Sequence, residues 1–165
     1  MKKFFLILII IFNSSLFAQA IFTQEDIDLC NNKFEFAALQ NLSVLPLNEI
    51  VIEIGKSFIG TEYAANSLEQ GEKEQLIIHL TGLDCYTFVE SCLAFARCIK
   101  LNKTSFQDFQ KEIENIRYRG GKIDEYPSRL HYFSDWIYDM DKRKIAEDVT
   151  EEIGGVPYAN NVGFM

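Results

Sequence analysis

The pair Asp84-Cys85 is the feature of this sequence with the clearest chemical potential. It stands between a β-like run at residues 75–80 and an apolar helical run that starts at Tyr86. If a helix begins here, Cys85 lies in its first turn, where unpaired backbone N–H groups and the positive end of the helix dipole favour the thiolate over the thiol. Asp84 can cap this helix and fix the orientation of the turn. The pair therefore predicts a nucleophilic thiolate, and the alternative is a core cysteine at a helix start.

The other three cysteines are most simply interpreted as buried, small apolar residues. Cys92 and Cys98 follow Cys85 on the same predicted helix at intervals of roughly 9–10 Å along its axis. A disulfide tolerates Cα separations only up to about 7 Å. These three cannot pair with each other, although Cys30 could pair with one of them. The spacings match no zinc-ligand pattern, so we expect no metal, and no spacing suggests an organic cofactor.

The two histidines are the candidates for a general base. His131 is predicted to lie on a helix, where Asp135 at i+4 could orient its ring. The favoured alternative is a partly buried histidine that is satisfied by Asp135 and serves packing or substrate contact, because a base must reach the proton of the nucleophile. His79 alternates with apolar neighbours in the predicted strand and is expected to be structural.

The elements that must position these residues are mostly helical. Periodicity and capping residues predict helices at residues 24–39, from Pro46 to Gly60, at 85–101, after the cap Thr104, and from Pro127 onward. Strands are predicted at residues 75–80 and 145–150, and residues 60–63 are predicted to form a loop. This strand content is well below the usual share of about 20–25%. The predicted fold class is therefore α+β, helix-rich with few strands.

Residues 1–20 have the pattern of a secretory signal peptide. Lys2 and Lys3 precede an unbroken apolar stretch at residues 4–12, and Ala18-Gln19-Ala20 forms a cleavage signal. The apolar stretch is shorter than the about 20 residues of a permanent membrane span. We therefore expect an exported, periplasmic protein with one domain at residues 21–165 and no stable membrane anchor after cleavage.

The chain is acidic, with 24 acidic against 16 basic residues and a formal net charge of −8. Cleavage of the leader removes two lysines and no acids, which leaves 14 basic residues and a net charge of about −10. Such a surface argues against nucleic acid and anionic membrane as partners.

Four segments, taken in order, resemble the signatures of one enzyme family. They are Gly60-Thr61-Glu62-Tyr63 with Ser67-Leu68-Glu69, then Leu83-Asp84-Cys85-Tyr86-Thr87-Phe88-Val89-Glu90, then Ile116-Arg117-Tyr118-Arg119-Gly120, and finally Ser128-Arg129-Leu130-His131-Tyr132-Phe133-Ser134-Asp135-Trp136. Together they resemble the N-acetylmuramoyl-L-alanine amidase-like branch of the NlpC-type, papain-like cysteine hydrolases, which cut bacterial peptidoglycan. Glu62 departs from the pattern, since proline is usual there.

The resemblance implies an amide hydrolase that acts on peptidoglycan fragments or muropeptides. Cys85 would attack a carbonyl and form a thioester that water releases, with backbone N–H groups at the helix start as oxyanion donors. The implied bond joins N-acetylmuramic acid to L-alanine. The alternative within the same chemistry is endopeptidase cleavage between D-glutamate and the diamino acid of the stem peptide.

The resemblance also suggests which residues contact the substrate. The candidate substrate-binding residues are Tyr63, Asp84, Arg129 and His131. Tyr63 is implied to line the cleft beside the nucleophile. Arg117, Arg119 and Arg129 could hold peptide carboxylates bidentately, and the alternative for each is an ordinary ion pair.

The resemblance finally implies a catalytic histidine on a strand of a following sheet, in a Ser-His-x-Gly-like segment preceded by Gly-Asp. The 165 residues contain no such segment. We therefore expect the helix-rich N-terminal half of a papain-like fold, truncated before the histidine sheet: a gene fragment, a frameshifted product or a partial sequence. The non-catalytic alternative is an inactive remnant that retains some affinity for muropeptides.

Overall fold

The computed structural model describes residues 20–71 and 73–155. Its helices are α1 (Gln24–Leu39), α2 (Leu47–Lys56), α3 (Cys85–Lys100), α4 (Phe106–Arg117) and α5 (Phe133–Lys142), and its strands are β1 (Glu62–Tyr63) and β2 (Gly82–Leu83). The helix-rich α+β class is thus confirmed. The predicted leader lies almost entirely outside the described residues. Within them, no helix combines the length and apolar character that a membrane span requires.

Helix α1 has the predicted bounds because its first turn closes a capping box. The Thr23 hydroxyl accepts the Asp26 N–H at 3.2 Å, and the Asp26 carboxylate accepts the Thr23 N–H at 2.8 Å. The second carboxylate oxygen of Asp26 accepts the backbone N–H of Leu80 at 2.6 Å. This buried contact ties the start of α1 to the chain segment that leads into β2.

Helix α3 is the centre of the hydrophobic core, as its broad apolar stripe predicts. It packs between α2 and α4. Its residue Phe95 stacks on Phe109 of α4, with ring centroids 4.2 Å apart, and meets Phe34 of α1 edge-on at 5.1 Å. The helix that begins at Cys85 is therefore held firmly by three neighbours.

The strands differ from those that the sequence predicts. Residues 75–80 form no regular strand; Ile77 makes a single parallel bridge to Ile21. The two-residue strands β1 and β2 pair in parallel instead, with Glu62 opposite Gly82 and Tyr63 opposite Leu83. The expected loop at residues 60–63 thus contains β1. Residues 145–150 are irregular, so the strand predicted there is also wrong.

Three helix boundaries also need correction. Helix α2 ends at Lys56, before Gly60. Helix α4 is capped by Ser105 with Asp108, one residue after the predicted Thr104, because the Ser105 hydroxyl accepts the Asp108 N–H at 3.1 Å. Helix α5 begins at Phe133 and not at Pro127, because the preceding segment is drawn into an antiparallel bridge to the end of α4, where the Leu130 N–H donates to the Arg117 carbonyl at 3.0 Å.

Candidate active site

The start of α3 has the capping geometry expected for Asp84. One oxygen of its carboxylate accepts the N–H of Tyr86 at 3.0 Å, the N–H of Thr87 at 2.7 Å and the Thr87 hydroxyl at 2.8 Å. The Thr87 hydroxyl also lies 3.0 Å from the Asp84 N–H, which completes a capping box. The negative charge beside Cys85 is therefore engaged by the first turn of the helix.

Cys85 is the first residue of α3, and its side chain is exposed. It faces a groove of about 250 Å³ between α3 and β1. Tyr63, Phe58 and Phe88 are among the other side chains that line this groove. The structure therefore places Tyr63 and Cys85 on the same groove.

The other three cysteines are buried, as predicted, and all four are free thiols. Burial raises the pKa of Cys92 and the pKa of Cys98 to about 12 each. Burial likewise raises the pKa of Cys30, with a further contribution from the neighbouring Cys98. Of the four thiols, only Cys85 is placed to meet a substrate.

Close approach of the two strands sets the position of the helix start. A Cβ atom at Gly82 would lie 2.7 Å from Cβ of Ala64 and 3.1 Å from Cε1 of His79, so a side chain does not fit there. The Nδ1–H of His79 donates to the Gly82 carbonyl at 2.8 Å, and its Nε2 accepts the Thr81 hydroxyl at 3.0 Å. His79 thus braces the turn before β2 and has a structural role.

A second, polar pocket of about 160 Å³ adjoins the groove. Asp84 lines both cavities. Arg129 and His131 lie in this second pocket with Glu69 and Tyr86. The predicted substrate-binding residues therefore divide into two sets, with Tyr63 beside Cys85 and Arg129 and His131 on the other side of Asp84.

Arg129 is held by several contacts at the floor of this pocket, where its side chain is only 4% exposed. Its Nη1 donates to the Leu68 carbonyl at 3.1 Å, and its Nη2 donates to Glu69 at 2.8 Å. Its Nε lies 3.4 Å from the carboxylate of Glu74. Its guanidinium carbon lies 5.0 Å from the ring centroid of Tyr126. Arg129 thereby links the segment before α5 to the segment that connects β1 and β2.

Arg117 also lines this pocket and forms a buried ion pair with Glu90, a partner that the sequence does not predict. Its Nε donates to Glu90 at 2.8 Å and its Nη1 donates to the Ile77 carbonyl at 2.5 Å. Burial raises the pKa of Glu90, while the Arg117 guanidinium opposes that rise. Nearby, the Tyr86 hydroxyl donates to the Leu130 carbonyl at 2.5 Å, and burial raises the pKa of Tyr86. A signal for Glu90 existed: it is a charged residue among the apolar positions of the most buried helix.

The predicted pairing of His131 with Asp135 is wrong. His131 precedes α5, and its Nε2–H donates to the Tyr126 carbonyl at 3.2 Å, with the two rings 4.3 Å apart. Asp135 instead accepts hydrogen bonds from Nη1 and Nη2 of Arg119, at 2.9 and 2.5 Å. This bond raises the pKa of Arg119. Arg119 therefore follows the alternative of an ordinary ion pair.

The helix start also offers a hydrogen-bond donor next to the thiol. Asp84 takes the N–H groups of Tyr86 and Thr87. Within the part of the chain that the structure describes, no hydrogen bond engages the N–H of Cys85. A donor beside an exposed sulfur can stabilise the oxyanion that forms when a thiolate attacks a carbonyl. Fold and site together define a candidate cysteine-nucleophile site at a helix start.

Comparison with known proteins identifies the family of this chain. The model of the AmiA-like family, described as N-acetylmuramoyl-L-alanine amidase-like, matches residues 53–162. Because this match covers more than half of the chain, the chain belongs to the AmiA-like, N-acetylmuramoyl-L-alanine amidase-like family. Among curated proteins, none matches the chain.

Several crystal structures are similar to the chain. A candidate xylanase from Bacteroides fragilis is 46% identical over 59% of this chain and 42% of its own, with a TM-score of 0.55. An N-acetylmuramoyl-L-alanine amidase from Bacteroides uniformis is 37% identical over 59% of this chain and 40% of its own, with a TM-score of 0.55. A Legionella pneumophila protein is 24% identical over 72% of this chain and 38% of its own, with a TM-score of 0.57, and supports the fold alone. The chain spans about two fifths of the length of these structures.

Proposed function

We propose that this protein acts on peptidoglycan fragments as a cysteine-dependent amidase that cleaves the bond between N-acetylmuramic acid and L-alanine. The proposal places it in the periplasm after loss of residues 1–20 and assigns it a papain-like, NlpC-type fold. The observation that carries the proposal is the exposed sulfur of Cys85 at the capped start of α3, facing a groove. Membership of the amidase-like family supports the choice of bond.

In the proposed reaction, the Cys85 thiolate attacks the lactyl carbonyl carbon and forms a carbon–sulfur bond. The oxyanion that results is stabilised by the Cys85 N–H. The carbon–nitrogen bond then breaks, and the alanine nitrogen leaves as an amine after it takes up a proton from solvent water. Water hydrolyses the thioester, which releases the lactyl carboxylate and restores the thiol. Tyr63 bounds the groove in which the reacting amide lies.

One observation favours a second candidate function, which is binding of muropeptides without hydrolysis. Among the described residues, no hydrogen bond joins the sulfur of Cys85 to a histidine, because His79 and His131 donate to backbone carbonyls elsewhere. Hydrolysis needs a group that protonates the leaving amine. A chain that binds muropeptides in the polar pocket but transfers no proton would be a binding protein.

A glycosidase reaction, suggested by the description of the Bacteroides fragilis structure, fits the groove less well. Such enzymes generally need two carboxyl groups that flank the glycosidic bond. The groove is lined by the carboxylates of Glu62 and Asp84. However, one oxygen of Asp84 already accepts three hydrogen bonds from the first turn of α3. Asp84 is therefore committed to capping, which leaves Glu62 as a single carboxylate beside Cys85 in this groove.

Digestion of purified muropeptides followed by mass spectrometry tests these functions. The amidase predicts free stem peptides and a peptide-free sugar that carries N-acetylmuramic acid, with no product from the Cys85→Ala variant and normal product from Cys98→Ala. Products with an intact lactyl–alanine link would indicate the endopeptidase instead. Binding without any product would establish the non-catalytic function, and reducing ends released from xylan would overturn the proposal.

A further inference from the structure

The two acidic partners of Arg129 differ in their exposure. Glu74 is buried, with 6% of its side chain exposed, and its Oε1 also accepts the Tyr118 hydroxyl at 2.7 Å. Glu69 has 53% of its side chain exposed, and it meets Arg129 through a single hydrogen bond to Nη2. The guanidinium therefore has one partner fixed in the protein interior and one partner at the mouth of the pocket.

This difference decides which partner can be exchanged. Loss of Glu74 would leave a buried guanidinium without its interior counterion, which is costly. Release of Glu69 costs less than loss of Glu74, because the carboxylate of Glu69 is already half exposed and becomes fully hydrated when it leaves. Nη2 of Arg129 is thus a donor whose present acceptor can leave without disturbing the fold.

We propose that Glu69 occupies the position of a ligand carboxylate, and that an anionic stem peptide displaces it to bind Nη2 of Arg129. This inference rests on the proposed function and names the group of the substrate that the polar pocket recognises. The carboxylate is the free α-carboxylate of the D-glutamyl residue, the anionic group that lies one residue beyond L-alanine in the stem peptide. Glu69 then acts as an internal competitor that sets the affinity for acidic over amidated stem peptides.

The charges of the pocket fit a single carboxylate. An incoming carboxylate replaces Glu69 charge for charge, so the buried guanidinium remains paired throughout the exchange. The bond from Nη1 to the Leu68 carbonyl and the contact with Glu74 need not change. Arg117 also lines the pocket but is already paired with Glu90, and Asp84 would repel a second anion there. An amidated ligand brings no charge and cannot compensate Arg129 when Glu69 leaves.

Isothermal titration calorimetry on the full chain tests the inference. All proteins carry Cys85→Ala so that no turnover occurs. The two probes are N-acetylmuramoyl-L-alanyl-γ-D-glutamyl-L-lysine with a free D-glutamyl α-carboxylate, and the same compound with that group amidated; the C-terminus is amidated in both. Glu69→Gln removes the competing charge at nearly constant volume. Glu53→Gln is the matched control, since Glu53 forms a partly exposed ion pair with Lys56 outside the pocket.

Glu69→Gln should raise the affinity for the acidic probe about two- to fivefold, as expected when the half-exposed partner of an ion pair loses its charge. Affinity for the amidated probe should stay unchanged, and Glu53→Gln should alter neither. Equal gains for both probes, or no gain for the acidic one, would overturn the role of Glu69 while the proposed function stands. If neither probe binds to any variant, the proposed function itself fails and the inference falls with it. Unchanged melting temperatures would show that Glu69→Gln leaves the fold intact.

Discussion

Alkylation by iodoacetamide at about pH 8 tests whether the fold presents one thiol and protects the others. Cys85 is exposed, whereas Cys30, Cys92 and Cys98 are buried. The thiolate is the form that reacts. Since burial raises the pKa of Cys92 and the pKa of Cys98 to about 12, only about one molecule in 10⁴ carries either thiolate at about pH 8.

The expected protection follows from that fraction. An unperturbed cysteine is roughly one quarter ionised at about pH 8. Ionisation alone should therefore slow Cys92 and Cys98 about 10³-fold relative to the same residues in the unfolded chain. Lack of access adds to this protection, because both side chains are only 2% exposed. Cys85 is exposed and should be the first residue labelled.

The assay is a time course of labelling, with proteolysis and mass spectrometry to assign the label to each cysteine. The Cys85→Ser variant should lose the fast phase, whereas Cys98→Ala should retain it. In concentrated guanidinium chloride all four thiols should react at similar rates, which shows that the fold provides the protection. Equal labelling of the four cysteines in the folded protein would refute this placement of Cys85 and remove the case for it as the nucleophile.

Three further predictions concern stability. Raising the pH above about 8.5 should destabilise the protein, because the buried thiols stay protonated in the folded state but ionise in the unfolded state; the loss approaches about 1.4 kcal/mol per pH unit for each thiol, up to the folded pKa of about 12 for Cys92 and Cys98. Denaturant unfolding measures it, and an unchanged slope in Cys98→Ala would contradict the explanation. Asp84→Ala should cost about 0.5–2 kcal/mol through loss of the cap, while Asp84→Asn should cost much less; equal melting temperatures for these two variants would argue against the capping role. Gly82→Ala should cost about 1–3 kcal/mol because its Cβ would meet that of Ala64. Ala64→Gly in the same chain should restore much of this loss. Failure of this second substitution to restore stability would contradict the close contact between the two strands.

The sequence predicts the local features of this fold well. Helix α1 could be bounded from Thr23 and Asp26, since a capping box involves residues only three positions apart. The start of α3 could likewise be predicted, because the cap formed by Asp84 involves residues at most three positions away. The burial of three cysteines follows from helical periodicity and the general behaviour of cysteine.

Features that depend on distant parts of the chain were missed. Strands β1 and β2 have two residues each, too few to show a period, and they form because Gly82 lets the chain approach Ala64 closely. The sequence suggests that Asp135 pairs with the nearby His131, yet its partner is Arg119, sixteen residues away. The i, i+4 spacing of His131 and Asp135 predicts a contact only if both residues lie on one helix, and His131 precedes α5.

The three arginines show why a cluster of charge in the sequence does not define a binding site. Arg117 is buried against Glu90, so an incoming anion would have to displace an interior partner. Arg119 is bound through two nitrogens by Asp135 and does not line the polar pocket. Arg129 alone combines a fixed interior partner with a half-exposed one that faces a cavity. The exposure of the partner, rather than the arginine itself, decides where a ligand carboxylate can enter, and only the folded chain reveals it.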